Sequence, residues 1–215
     1  MTKSIYDQLN ASGTSATDFK QRMVETVSGN TLDLNRWNLD VDDGTGNVVA
    51  MTDEVDGGVR ITTSGSGYDR VVVGFNNKRQ YAHTGAELIG VRKVTSSTGN
   101  HVNHIGFVDT LGNGFVSGRH FVSAEFHSGV TNYSLQSGDG SAISRISSGV
   151  ARDTNWHIFK VRTTNPTTGL SVDGALEVTK TSNPPATNMQ PAFEELANDG
   201  VAYQGQVRYV EAYNT

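Results

Sequence analysis

Cysteine is absent from the 215 residues, so no disulfide framework, thiolate nucleophile or Cys-ligated zinc can form. Proline is scarce, at 4 residues, and Leu, at 10, is far outnumbered by Val, at 24. No apolar run approaches the roughly 20 residues that a membrane-spanning helix needs, so no membrane partner is expected. There is no cationic excess: 17 Lys and Arg face 22 Asp and Glu, a net charge of -5 with a pI near 5.6. That balance removes the usual electrostatic footprint of a nucleic-acid binder. The opening stretch, MTKSIYDQLNASGTSATDF, has no apolar h-region of a secretory signal.

Small polar residues take the place of what is missing. Gly 24, Thr 23, Ser 19 and Asn 17 dominate the composition. With Val in excess, they describe short β-branched strands cut by turns, because branched side chains suit a pleated surface. Residues 31–215 are expected to form one all-β domain, a length sufficient for a sizeable core. Strands are expected near 47–51, 58–63, 70–75, 85–94, 103–108, 119–127, 131–136, 142–147, 156–163, 170–172, 176–178 and 204–213. Asp56-Gly57-Gly58, Asn113-Gly114 and Asp173-Gly174 are the tight-turn signals. Spacing of this kind predicts an antiparallel two-sheet β-sandwich or jelly roll.

Residues 1–30 differ. Their apolar side chains, Ile5, Tyr6, Leu9, Phe19 and Met23, are scattered among polar ones. Such a segment cannot bury a core of its own. Thr17 would cap a short helix over 18–27. The segment is expected to be an attachment arm, with those five residues as anchors.

Alternation along the 119–127 strand sorts it into two faces. Val122, Ala124 and Phe126, with His120, suit a core. Arg119, Phe121, Glu125 and His127 form the opposite, mostly polar face and are the candidate glycan contacts, since sugar sites set an aromatic platform among planar polar groups.

The segments LDLNRWNL, GVRITT, WHIFKVRTT, LSVDGALEV and GQVRYVEAY, in that order, resemble the concanavalin A-like lectin/glucanase superfamily over about residues 30–215. The resemblance implies a jelly roll of two curved antiparallel sheets and no particular activity, since that fold serves enzymes, lectins and structural proteins.

Retaining glycosidases of this family carry E-x-D-x-E or E-x-D-x-x-E, which sets two carboxylates about 5 Å apart on one face. Here Glu54-Val55-Asp56 is followed by Gly57, Glu125 is the only acid on its strand, and Glu194 and Glu195 are adjacent. On a strand those last two would point to opposite faces. The lyase pieces R-x-E-L-R, Q-x-H and Y-x-K-x-G-x-Y are also missing. No catalytic residue, metal ligand or cofactor is therefore expected. The 6 His residues make no evident cluster. The loop DVDDGTGN fails the EF-hand pattern at Gly44 and Met51 and reads as a solvated turn, with a single Ca²⁺ in an irregular loop as the alternative.

Two functions remain open on these grounds. The first is a non-catalytic structural module on a virus particle, such as a bacteriophage capsid decoration, head fibre or tail-associated protein, located in the virion with other capsid proteins as partners. The second is a lectin-like module that binds a cell-surface glycan.

Overall fold

The computed structural model describes residues 22–26, 37–42, 46–50, 58–64, 68–75, 78–96 and 99–215. Fifteen strands and no helix occur among the described residues. In chain order they are β1 (Arg22–Thr26), β2 (Asn38–Asp42), β3 (Asn47–Ala50), β4 (Val59–Thr62), β5 (Asp69–Gly74), β6 (Ala86–Val94), β7 (His101–Val108) and β8 (His120–His127). Then follow β9 (Asn132–Asp139), β10 (Ile143–Ala151), β11 (His157–Thr163), β12 (Thr168–Val172), β13 (Val178–Lys180), β14 (Gln190–Ala197) and β15 (Gln204–Asn214).

The strands form two antiparallel sheets. One runs β13-β12-β11-β6-β15-β4-β3, with β1 also paired to β15; the other runs β10-β9-β8-β7-β14-β5-β2. Consecutive strands often lie in different sheets, as a jelly roll requires. The expected all-β sandwich is the observed fold.

Inward residues alternate as the strand period demands. Leu88 and Val94 of β6, Phe159 and Val161 of β11, and Val207 and Val210 of β15 meet Val71 and Val73 of β5, Ile105 and Phe107 of β7, and Val122, Ala124 and Phe126 of β8 in one core. Trp37 anchors one end, edge-on to Phe75 with ring centroids 5.4 Å apart and tilted against Phe193 at 5.2 Å. The sheets approach closely at Gly90, where a Cβ would come within 2.2 Å of Ile105 Cδ1. The Asp173-Gly174 turn forms as expected, with φ of 52° and 75°.

Three local expectations are corrected. Residues 22–26 are strand, not part of a helix: β1 pairs with β15 from Arg22 opposite Tyr213 to Thr26 opposite Tyr209. Met23 thus sits in a sheet, opposite Ala212, while Ile5, Tyr6, Leu9 and Phe19 lie outside the described residues, as does the Glu54–Gly57 turn. Asp40 and Asp42, expected in a solvated turn, belong to β2, paired with Val72 and Arg70, so ladder hydrogen bonding takes the backbone of that stretch. Finally, β14 was not expected at all. Pro191 and the Glu194-Glu195 pair argue against a strand on propensity, yet β14 lies between β5 and β7 in the middle of its sheet.

A buried histidine held between two half-exposed aspartates sits at the start of β11. His157 Nδ1 lies 2.6 Å from Asp173 Oδ2, and its Nε2 lies 2.8 Å from Asp153 Oδ1. The hydrogen bond to Asp173, followed by that to Asp153, raises the imidazole pKa against the opposing effect of burial. A histidine with a raised folded pKa contributes stability that is complete below its unfolded value and lost as pH rises through the folded one. His157→Gln is therefore expected to cost about 1–3 kcal/mol below pH 6 and progressively less as the pH rises past the folded-state pKa. Urea unfolding of both proteins across that range checks it.

Candidate functional site

The outer face of the seven-stranded sheet carries the unusual chemistry. Antiparallel register sets Glu194 of β14 opposite His104 of β7, and His104 opposite Glu125 of β8. Ser134 of β9 follows, opposite Glu125. Paired residues share a face, so Glu194, His104, Glu125 and Ser134 form one row across four strands. The neighbouring row brings Ser123 opposite Gln136, and Gln136 opposite Arg145.

The interactions within this patch are specific. Arg145 grips Glu125 with two parallel bonds, from Nε to Oε2 and from Nη2 to Oε1, the geometry that makes arginine–carboxylate pairs strong. Gln136 Nε2 donates to Glu125 Oε1 at 3.2 Å. His104 Nδ1 lies 3.0 Å from Ser123 Oγ. Glu194 is approached by Arg70 Nε at 3.6 Å and accepts the Phe115 backbone N–H at 2.9 Å.

Burial decides the protonation states. Desolvation pushes the Glu194 carboxyl up to about 7, with Arg70 and the Phe115 N–H opposing. It pushes His104 well below the usual imidazole range, reinforced by Arg92 and Arg145. Near neutral pH the row thus holds a carboxyl poised to give up a proton, a neutral imidazole, and Glu125 gripped by the Arg145 guanidinium.

A loop covers part of this row. Between β7 and β8, Leu111 and Phe115 pack with Val72, Val108, Phe121 and Ala192 in a second apolar cluster. The Phe115 ring stacks on His104, with centroids 4.8 Å apart and planes at 18°. The Asn113-Gly114 turn makes this possible, with φ of 62° and 57°. A Cβ on Gly114 would lie 1.9 Å from Glu194 Oε2, so only glycine lets the backbone come this close.

The row is also fixed from the core side. Arg92 of β6 donates from Nη1 to the His104 carbonyl, from Nη2 to the Glu194 carbonyl at 2.7 Å, and from Nη2 to Glu195 Oε2 at 2.9 Å. Glu195 points inward while Glu194 points outward, the opposite facing expected of adjacent strand residues. Burial pushes the Glu195 carboxyl up, with Arg92 opposing.

The four candidate glycan contacts fare unequally. Phe121 and Glu125 do share a face, but Phe121 is fully buried beneath the loop and Glu125 is 1 % exposed. Arg119 precedes β8, in the turn that donates its N–H to the Val116 carbonyl. His127 ends the strand, its Nδ1 accepting the Gly129 N–H at 2.9 Å. The structure therefore replaces an open polar face by a covered one. In the E-x-D-x-E register ending at Glu125, the earlier positions are Phe121 and Ser123, so a second carboxylate comes from β14 instead. Sequence reasoning missed Glu194, His104 and Arg145 as partners of Glu125. Their association depends on strand order, which local spacing does not carry.

Next to Arg145, a groove of about 420 Å³ opens along β9 and β10.

No family description and no curated protein sequence matches the chain. Solved structures do. A β-1,3-glucanase from Mycobacterium marinum superposes with a TM-score of 0.64 at 12% identity, over 92% of this chain and 100% of that one. The β-glucanase of Bacillus licheniformis gives 0.61 at 15%, over 90% and 98%. A carbohydrate esterase from the Shiga toxin-encoding bacteriophage phi24B gives 0.55 at 13%, over 90% and 97%. The fold is the β-glucanase-like jelly roll.

This company corrects two expectations. The chain was expected to be a non-catalytic structural module on a virus particle, and not an enzyme. The structures that share its fold are mostly named β-glucanases and glycoside hydrolases.

Proposed function

We propose that the protein is a carbohydrate-active enzyme of the glycoside hydrolase type, acting through the outer face of the seven-stranded sheet. The observation that carries this is the Glu194–His104–Glu125 row, with the Glu194 carboxyl raised by burial to about 7 and Glu125 paired with Arg145. A buried carboxyl raised towards neutrality beside a second carboxyl is the arrangement from which acid and base roles are assigned. Glu194 is the general acid that protonates the leaving oxygen, and Glu125 is the base that orients water. One intervening strand puts their Cα atoms about 10 Å apart. That suits the roughly 6.5–9.5 Å carboxyl separation of inverting enzymes better than the shorter one of retaining enzymes.

The test is release of reducing ends by the full chain from a panel of neutral β-glucans and acidic polysaccharides. Glu194→Gln and Glu125→Gln are each expected to lower the rate at least about 100-fold, and the first product should have the inverted anomeric configuration by NMR. No product from any polymer in the panel, or wild-type rates in both variants, overturns the reading.

A further inference from the structure

The groove along β9 and β10 supplies a second piece of recognition. Its walls include Thr131, Asn132, Ser134, Arg145, Ile146 and Ser147, and Arg145 is the only charged residue lining it among the described residues. Its volume of about 420 Å³ falls within the range of small-ligand sites. Ser134 stands opposite Glu125 in the ladder and Ser147 stands opposite Ser134, so the groove continues the Glu194–His104–Glu125 row towards the sheet edge.

Arg145 faces two ways. Its bonds to Glu125 use Nε and Nη2 and leave Nη1 for another partner. Its side chain is 39 % exposed, whereas that of Glu125 is 1 % exposed. One edge of the guanidinium is committed to the buried carboxylate and the other is available to the groove. A planar, always charged fork of this kind is matched to carboxylate and sulfate oxygens. The remaining walls are hydroxyls, an amide, Gly129 and two aliphatic residues, Val130 and Ile146.

The other charged groups nearby are engaged elsewhere. Lys180 Nζ donates to the Ser144 carbonyl and hydroxyl, and burial lowers its pKa to about 8. Asp139 caps the β9–β10 turn through the N–H groups of Ser141 and Ala142, both at 2.9 Å.

We infer that this groove is a subsite for an acidic sugar residue, with Arg145 contacting its anionic group. The substrate class of the proposed enzyme is then an anionic polysaccharide and not a neutral glucan. The inference rests on the hydrolase reading for its place in a reaction, but its test is binding alone.

Calorimetric titration of the full chain compares three oligosaccharides of equal length: β-1,4-glucuronate, its neutral cello-oligosaccharide counterpart, and the 6-sulfated form of the latter. The anionic oligomers are expected to bind at least tenfold tighter than the neutral one. The uronate and sulfate arms distinguish which anion is preferred. Arg145→Gln should bring the ratio within about twofold of unity, and Arg145→Lys should retain part of it. Equal or tighter binding of the neutral oligomer by the wild-type protein overturns the inference, whatever the variants do. So does an unchanged ratio in folded Arg145→Gln. Hydrolysis of neutral glucan without charge preference would sink this inference and leave the hydrolase reading standing. Selective uronate binding with no hydrolysis of any polymer would do the reverse.

Discussion

Arg92→Met is expected to cost about 3–5 kcal/mol of folding stability at pH 8 and clearly less at pH 5. Arg92 and Glu195 are both almost wholly buried, at 2 % and 0 % side-chain exposure, and 2.9 Å apart. Removing one partner of such a pair leaves a charge in the core with no compensation, the situation in which losses of this size arise. Arg92 is the chief influence opposing the upward push that burial gives the Glu195 carboxyl, so the variant's Glu195 holds its proton still more firmly. A carboxyl whose folded pKa exceeds its unfolded value favours folding while protonated. That advantage shrinks as pH rises from the unfolded value through the folded one. At pH 5 the lone carboxyl is neutral and the cost falls; at pH 8 it must stay charged or take up a proton against the solvent. Adding Glu195→Leu removes the stranded acid. The double variant is expected to be more stable at pH 8 than Arg92→Met alone, a non-additivity characteristic of contacting pairs. Urea titrations of the three proteins at both pH values measure every term.

Arg92 also links the core to the candidate site. Its donors hold the carbonyls of His104 and Glu194, the two residues whose side chains emerge on the far side of the sheet. The hydrolysis rate in Arg92→Met should consequently fall even at pH 5, where folding is nearly restored.

The architecture was legible where turn signals bound a run of β-branched and aromatic residues, even where both faces are covered, as in β8 and β9. β8, β9, β11 and β15 begin and end within three residues of the limits expected from alternation and turns. Legibility failed at β14, where Pro and adjacent acids hide a strand with both faces covered. β14 has Ala192 in the apolar cluster under the loop and Phe193 in the main core, with Glu194 and Glu195 both buried, so its sequence shows no period of two. In β11 the limits were legible but the sorting of its two faces was not. Its outward Trp156 and Ile158 side pack against Ile89, Val91, Tyr209 and Tyr213, and Arg208 lies 3.9 Å over the Trp156 ring. A second apolar cluster outside the sandwich blurs the contrast between the two faces.

The candidate site was legible only at Glu125. A single strand displays its acids to a reader of the sequence, but a row built across β14, β7 and β8 joins residues 194, 104 and 125. No local spacing links them; the link is the strand order itself. The polar face around Glu125 was also read as open. The residues that close it, Leu111 and Phe115, belong to a turn whose Asn113-Gly114 signal says that the chain reverses but not where the loop lies down.

That loop sets the remaining large expectation. Phe115→Ala should cost about 3 kcal/mol, in line with truncation of a buried aromatic ring, because Phe115 is 3 % exposed and meets both His104 and Phe121. The effect on chemistry should be separable from the effect on folding. Desolvation is the main reason that the Glu194 carboxyl sits near 7, and the Phe115 ring is part of what keeps water from this row. With the ring gone, the carboxyl should titrate at least one unit lower, observable by carbon NMR of labelled glutamate. If Glu194 is the general acid, the alkaline limb of the pH–rate profile must move down by the same amount, since loss of its proton ends its ability to assist the leaving group. Small substrates should meanwhile bind more readily, with a lower KM, because a ring stacked on His104 no longer has to be displaced. A stabilising role alone predicts otherwise: lower stability, an unmoved alkaline limb and an unchanged KM in the fraction that remains folded. Measuring the profile well below the variant's Tm, with Phe115→Leu as the substitution that keeps most of the cover, distinguishes the two.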